Sequence, residues 1–266
     1  MSLLTDLSEP LPRPNLGELR ELAAWARSLA LVAGGYLPRP HTDILNDGGR
    51  QVPSSTLPVL AVHGYLANGN DLEPLAGYLR HHGFGQVFTY TANTQTRSVP
   101  ELAERLVTHV RTILAATGHD RLHLVGHSLG GIVIRYAVTY LGLDRYADVV
   151  VTIGSPHGGS PLATATAGFL PAVIAKVPRA LCPGSPILRA LEADARPSQV
   201  TWVAIGSEQD HIVPADRARI TAPVLAATNL TFADIGHLDL VFDRRVLDAT
   251  VKALAAGETR RVGVAA

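Results

Sequence analysis

The chain has 266 residues, 47% of them hydrophobic, and its 23 basic residues balance 23 acidic ones to a formal net charge of +0. That balance removes the electrostatic argument for a nucleic-acid partner or an anionic membrane surface, and a single cysteine, Cys182, leaves no internal disulfide to form. A chain of this length holds one large α/β domain or two small ones, stabilised by an apolar core.

Residues 1–56 read as an N-terminal extension. Asp6 and Glu9 followed by Pro10, Pro12 and Pro14 are the wrong flank for a secretory signal, so a cytoplasmic location is expected. Between Leu16 and Tyr36, Leu19, Leu22, Ala23, Ala26, Leu29 and Ala30 share one helical face. Glu18, Arg20, Glu21 and Arg27 interrupt the segment, which predicts a helix docked on the domain and not a membrane span. The stretch from Pro38 to Pro58 is turn-rich and reads mostly as loop.

A repeating order then begins. Short apolar strands are predicted at Val59–Val62, Val87–Tyr90, Leu122–Val125, Val149–Ile153, Val200–Ile205 and Asn229–Phe232. Between and after them come helices over Leu72–His82, Pro100–Ala116, Leu129–Leu141 and Leu238–Ala255. Such strands alternating with helices imply a mostly parallel sheet covered on both faces, in a domain over 57–256 with a frayed tail at 257–266. The interval from Ser155 to Gln199 breaks the rhythm. An insertion at a strand's carboxyl end sits where open α/β sheets bind ligands, so its apolar middle, with Phe169, Leu170 and Ile174, predicts a lid or cap. A plain pair of packing helices is the alternative.

The chemistry-bearing motif is Gly126-His127-Ser128-Leu129-Gly130-Gly131, between the apolar run Leu122–Val125 and the helix after it. A strand that reverses into a helix within a few residues strains the central residue and projects its side chain clear of both elements. Only small neighbours fit such a turn, which explains glycine two residues before and two residues after the serine. This G-x-S-x-G elbow makes Ser128 the candidate nucleophile, which needs a base, an acid and an oxyanion site. Asp210, in Gln209-Asp210-His211-Ile212-Val213-Pro214 just beyond a strand end, is the best acid, with Glu208 a weaker rival. His237, in Gly236-His237-Leu238-Asp239 after the last strand, is the best base. His211, His123, His81 and His82 fit less well. The backbone N–H of Leu129, at a helix start, is one oxyanion donor. The N–H of Tyr65, in His63-Gly64-Tyr65 after the first strand, is the second, with His63 bracing that loop.

The set V-L-A-V-H-G-Y, H-L-V-G-H-S-L-G-G, T-I-G-S-P-H-G-G-S, D-H-I-V-P and G-H-L-D-L resembles the bacterial lipase/esterase branch of the α/β-hydrolases, including Bacillus-type and class 2 lipases. The likeness spans about Leu57 to Leu254. It implies an α/β-hydrolase fold with a lid insertion, Ser128, Asp210 and His237 as nucleophile, acid and base, and Tyr65 and Leu129 as oxyanion donors. It also implies a pocket loop around His157. Some relatives hold calcium beside an aspartate two residues after the histidine, here Asp239, but no partner aspartate stands out. No metal or cofactor is expected. The function implied is hydrolysis of carboxylic esters of aliphatic acyl chains, a small-molecule or lipid substrate with transient contact at a lipid interface. A thioesterase, phospholipase or acyltransferase on the same triad, and a non-catalytic binding protein of the same fold, are the alternatives.

Overall fold

Val59, Leu60, Ala61 and Val62 are buried on both sides of their strand, as a central parallel strand requires. The structure, a computed structural model, describes residues 44–46, 55–168, 170, 172 and 175–265. The helix expected between Leu16 and Tyr36 lies outside these residues, as do Phe169 and Ile174. Strands β1 (Ile44–Asn46), β2 (Val59–Val62), β3 (Val87–Thr91), β4 (Leu122–His127), β5 (Ala147–Ile153), β6 (Thr201–Ser207) and β7 (Thr228–Phe232) form one sheet ordered β1-β3-β2-β4-β5-β6-β7. Strands β2 to β7 are parallel and β1 is antiparallel to β3. Strand β1 lies in the stretch expected to be mostly loop. Its three residues give no apolar run to read, and pairing with β3 makes them a strand.

Helices α1 (Glu73–His81), α2 (Val99–Thr117), α3 (Leu129–Tyr140), α4 (Pro161–Ala167), α5 (Lys176–Ala180), α6 (Pro186–Ala193) and α7 (Arg244–Ala265) complete the order. The period-two alternation of the strands divides the core. Leu60, Leu124, Val150 and Trp202 pack with α2, α3 and the insertion on one face. Val59, Val125, Val151 and Val203 pack with α1 and α7 on the other. Helix starts follow local chemistry. Ser98 and Glu101 form a reciprocal capping box at the start of α2, and Gly118 ends that helix in the left-handed region at φ 74. The Ser155–Gln199 interval holds the three helices α4 to α6. No helix among the described residues is long and apolar enough to cross a membrane.

The closing helix departs from expectation at both ends. A 3-10 turn over Asp239–Val241 comes first and α7 begins at Arg244. The expected tail at 257–266 is instead helix as far as Ala265. Gly257 does not stop it because glycine is what the crossing needs: a Cβ there would lie 2.5 Å from Val149 Cγ2 and 2.7 Å from Asp148 Oδ2. Beside it, Glu258 Oε1 accepts the Leu57 N–H at 2.7 Å and pairs with His123 Nε2 at 3.0 Å, tying α7 to β2 and β4. Burial alone would raise the Glu258 carboxyl, but the bonds from His123 and Leu57 outweigh it and hold the pKa below the usual range.

Glu258→Ala strands a buried N–H and a buried imidazole, which costs about 1–3 kcal/mol. The thermal unfolding midpoint is expected to drop by about 2–4 °C for each kcal/mol. Glu258→Gln, which keeps an acceptor for Leu57, should lose less. The contribution is present above the unfolded carboxyl value, about pH 4.3, and is lost as pH falls through the folded value.

Candidate active site

Because β2 to β7 run parallel, their carboxyl ends share one edge of the sheet, and the candidate residues gather there. Ser128 stands between β4 and α3 at φ 53 and ψ −121, half-buried, its N–H donating to the Ile153 carbonyl at 2.8 Å. A non-glycine residue held in that region is strained and persists only when its surroundings over-determine it. The surroundings do so. A Cβ on Gly126 would lie 2.5 Å from Gly131 N, and one on Gly130 would lie 2.2 Å from the Val62 carbonyl oxygen.

Asp210 follows β6 and is 2% exposed, whereas Glu208 is exposed. Its Oδ1 accepts the N–H groups of Ile212 at 2.9 Å and Val213 at 2.7 Å, which fixes the carboxylate plane. Its Oδ2 accepts from His237 Nδ1 at 2.6 Å. With the proton on Nδ1, Nε2 is the basic nitrogen of His237. Ser207 Oγ joins the two loops by accepting the Ile235 N–H at 3.3 Å and the Gln209 N–H at 3.4 Å. The other histidines stand apart. His123 opens β4 at the opposite edge of the sheet, while His81, His82 and His211 are exposed.

The candidate oxyanion donors come from the other flank. A Cβ on Gly64 would sit 3.0 Å from Ser128 Cβ, so the loop after β2 lies directly against Ser128. Ala92 N–H donates to His63 Nε2 at 2.8 Å, which places the ring proton on Nδ1, and Nδ1 donates to the Gly64 carbonyl at 2.7 Å. In a trans peptide the C=O and the next N–H point oppositely. His63 therefore sets the direction of the Tyr65 N–H by holding the other end of its peptide. The Tyr65 side chain is half-buried, and burial raises its hydroxyl pKa. Leu129 N–H is the first donor of α3, with no carbonyl inside its own helix to take it.

Two histidines have a place that spacing does not reveal. His127 packs its ring 5.0 Å from that of His237, and its Nε2 donates to the His237 carbonyl at 3.2 Å. Burial, then the charge of His237, push its pKa down to about 3. Its position inside the G-x-S-x-G motif was the available signal. His157, where the resemblance implies pocket lining, is 6% exposed, with its nitrogens turned to Arg135 and to Thr152 Oγ1. Burial, then the Arg135 charge, hold it well below its usual value. Leu170 is half-buried in the insertion.

The chain is similar to known serine esterases and lipases. Residues 55–169 match the family described as "Putative serine esterase (DUF676)". A triacylglycerol lipase of Vibrio cholerae is 36% identical over 121 residues, which are 43% of this chain and 37% of the relative. A triacylglycerol lipase of Pseudarthrobacter phenanthrenivorans is 33% identical over 114 residues, 40% of this chain and 35% of the relative. The matched region is thus little more than a third of these relatives' length. The mature Bacillus licheniformis lipase BlEst2 superposes with a TM-score of 0.68 at 17% identity, covering 82% of this chain and 99% of that one. A Paleococcus ferrophilus monoacylglycerol lipase superposes at 0.61 and 15% identity, covering 81% and 98%. The chain has the α/β-hydrolase fold shared by these lipases.

His63, His127 and His157 are all buried with lowered pKa values, burial being the main cause in each. The unfolded chain binds protons at these positions from about pH 6.5 downward while the folded one does not. Stability should therefore fall as pH drops below about 6.5 and level off above it. Thermal unfolding scanned across this range checks the slope. NMR of the imidazole nitrogens should find His127 neutral at about pH 5, and a protonated His127 there would contradict the assigned geometry.

Proposed function

We propose that this chain is a serine ester hydrolase that cleaves carboxylic esters of aliphatic acyl chains through an acyl-enzyme on Ser128. The observation that carries this reading is the 2.6 Å bond from His237 Nδ1 to buried Asp210 at the same sheet edge as the strained Ser128 elbow. The relatives named as triacylglycerol lipases and the serine esterase family support it.

Ser128 Oγ attacks the ester carbonyl while His237 Nε2 takes its proton, and Asp210 stabilises the imidazolium that forms. The N–H groups of Tyr65 and Leu129 hold the oxyanion of the tetrahedral intermediate, a contribution of about 2.7–4 kcal/mol for each donor. His237 then protonates the departing alkoxide as the carbon–oxygen bond breaks, leaving the acyl group on Ser128. Water repeats the sequence, giving its proton to His237, and the acid leaves as Ser128 regains its hydroxyl.

The domain doing this work runs from residue 57 through α7, with the Ser155–Gln199 insertion as its cap and apolar acyl wall. Leu66, next to Tyr65, is 41% exposed, and Phe242, shortly after His237, is 52% exposed. These apolar groups suit a lipid ester met at an interface.

Ser128→Ala is expected to abolish both p-nitrophenyl ester turnover and labelling by an ester-mimicking phosphonate, with the fold intact by circular dichroism. Asp210→Asn should lower kcat by about 10⁴-fold. Turnover retained in Ser128→Ala would defeat the reading. Rates for thioesters or phospholipids above those for every carboxylic ester would move the assignment to another acyl enzyme on the same triad.

A further inference from the structure

Arg135 projects from the second turn of α3 with its side chain 1% exposed. A guanidinium removed from water is destabilising unless its charge and donors are matched. Its two terminal nitrogens are matched from the insertion, while Nε is buried without a hydrogen-bond partner. Glu192 Oε2 lies at 2.8 Å, the Leu191 carbonyl at 3.1 Å and His157 Nδ1 at 3.4 Å. The first two stand at the carboxyl end of α6, where the helix dipole is negative and favours a cation. Tyr140 at the end of α3 adds a second tie, donating to Asp194 at 2.8 Å.

The third contact leads to the triad. With Arg135 donating to Nδ1, the proton of neutral His157 sits on Nε2 and is given to Thr152 Oγ1 at 3.1 Å. His157 is thereby fixed between α3 and β5, in the middle of a loop whose other residues touch the site. Gly154 lies under the His237 ring, where a Cβ would be 3.2 Å from both Cε1 and Nδ1. Ser160 Oγ donates to the Ile212 carbonyl at 2.6 Å, and the Ile212 N–H is one of the two that fix Asp210. Gly158 N–H donates to the Arg217 carbonyl at 2.8 Å, closing the bracket around the acid turn.

We propose that Arg135 is a positioning residue: its buried charge locks α6 to the nucleophile helix and, through His157, holds residues 154–160 against the His237 ring and the Asp210 turn. The inference rests on the hydrolase reading above. It makes the second half of the insertion, from α5 to Gln199, a fixed wall of the site.

Two variants separate positioning from mere stability. Arg135→Lys keeps a cation within reach of Glu192 but loses the fork that also grips His157. His157→Gln keeps the Arg135–Glu192 pair and removes the ring. In both, kcat for a p-nitrophenyl ester is expected to fall about 10- to 100-fold, as for a small misplacement of reacting groups. KM should stay within about twofold, and both variants should remain folded at the assay temperature, well below their unfolding midpoints. Amide hydrogen exchange at Gly158, Ile212 and Val213 should quicken. Parent-like kcat and exchange in both variants would overturn the proposal, as would a kcat loss explained by the unfolded fraction with exchange unchanged. If the parent itself turns over no ester beyond Ser128→Ala, the hydrolase reading fails, and the exchange result alone decides whether Arg135 holds the loop.

Discussion

A serine held at φ 53 and ψ −121 is the constraint around which the rest of the site is arranged. The strain is local, but the packing that sustains it is not. Gly130 must let α3 start against the Val62 carbonyl, Gly126 must let β4 pass under Gly131, and the Ser128 N–H must find the end of β5. Three parallel strands therefore meet one residue, and their shared carboxyl edge is where the acid and base loops also emerge. The elbow presents the half-buried Ser128 hydroxyl and the first N–H of a helix in a single turn, so on the proposed reading nucleophile and one oxyanion donor are inseparable.

Around that centre Asp210, His63 and His127 are buried with hydrogen-bond partners. Asp210 spends one oxygen on two backbone donors and the other on His237. His63 accepts from one backbone N–H and donates to one carbonyl. His127 holds His237 from its main-chain side. Neutral imidazoles suit these positions because each can donate and accept once, and a charged ring there would be badly solvated. Low dielectric and fixed dipoles are what make such a site effective toward developing charge.

Much of this was legible in the order of residues. Short, almost continuous apolar runs marked β2 to β6 as buried parallel strands, and the glycines flanking Ser128 marked the elbow, because each is a local requirement written in residue type. Asp210 and His237 could be placed because a parallel sheet sends every strand end to one edge. The residues that escaped were those whose role depends on distant packing. Arg135 sits in a helix of otherwise apolar character, and its partners lie 22 to 57 positions away. Ile44–Asn46 becomes a strand through β3 alone. Gly257 reads as a helix end until the close approach of Val149 explains it.

The bond between Leu57 and Glu258 joins positions 201 apart in sequence, and Arg261 also reaches the Ser55 carbonyl. Both contacts lie toward the edge where β2 and β4 begin, away from the edge that carries Ser128. The chain just before β2 and the closing helix are thus joined along a seam on the far side of the sheet from Ser128. Tethers or surface attachments placed at the seam would present the Ser128 edge outward.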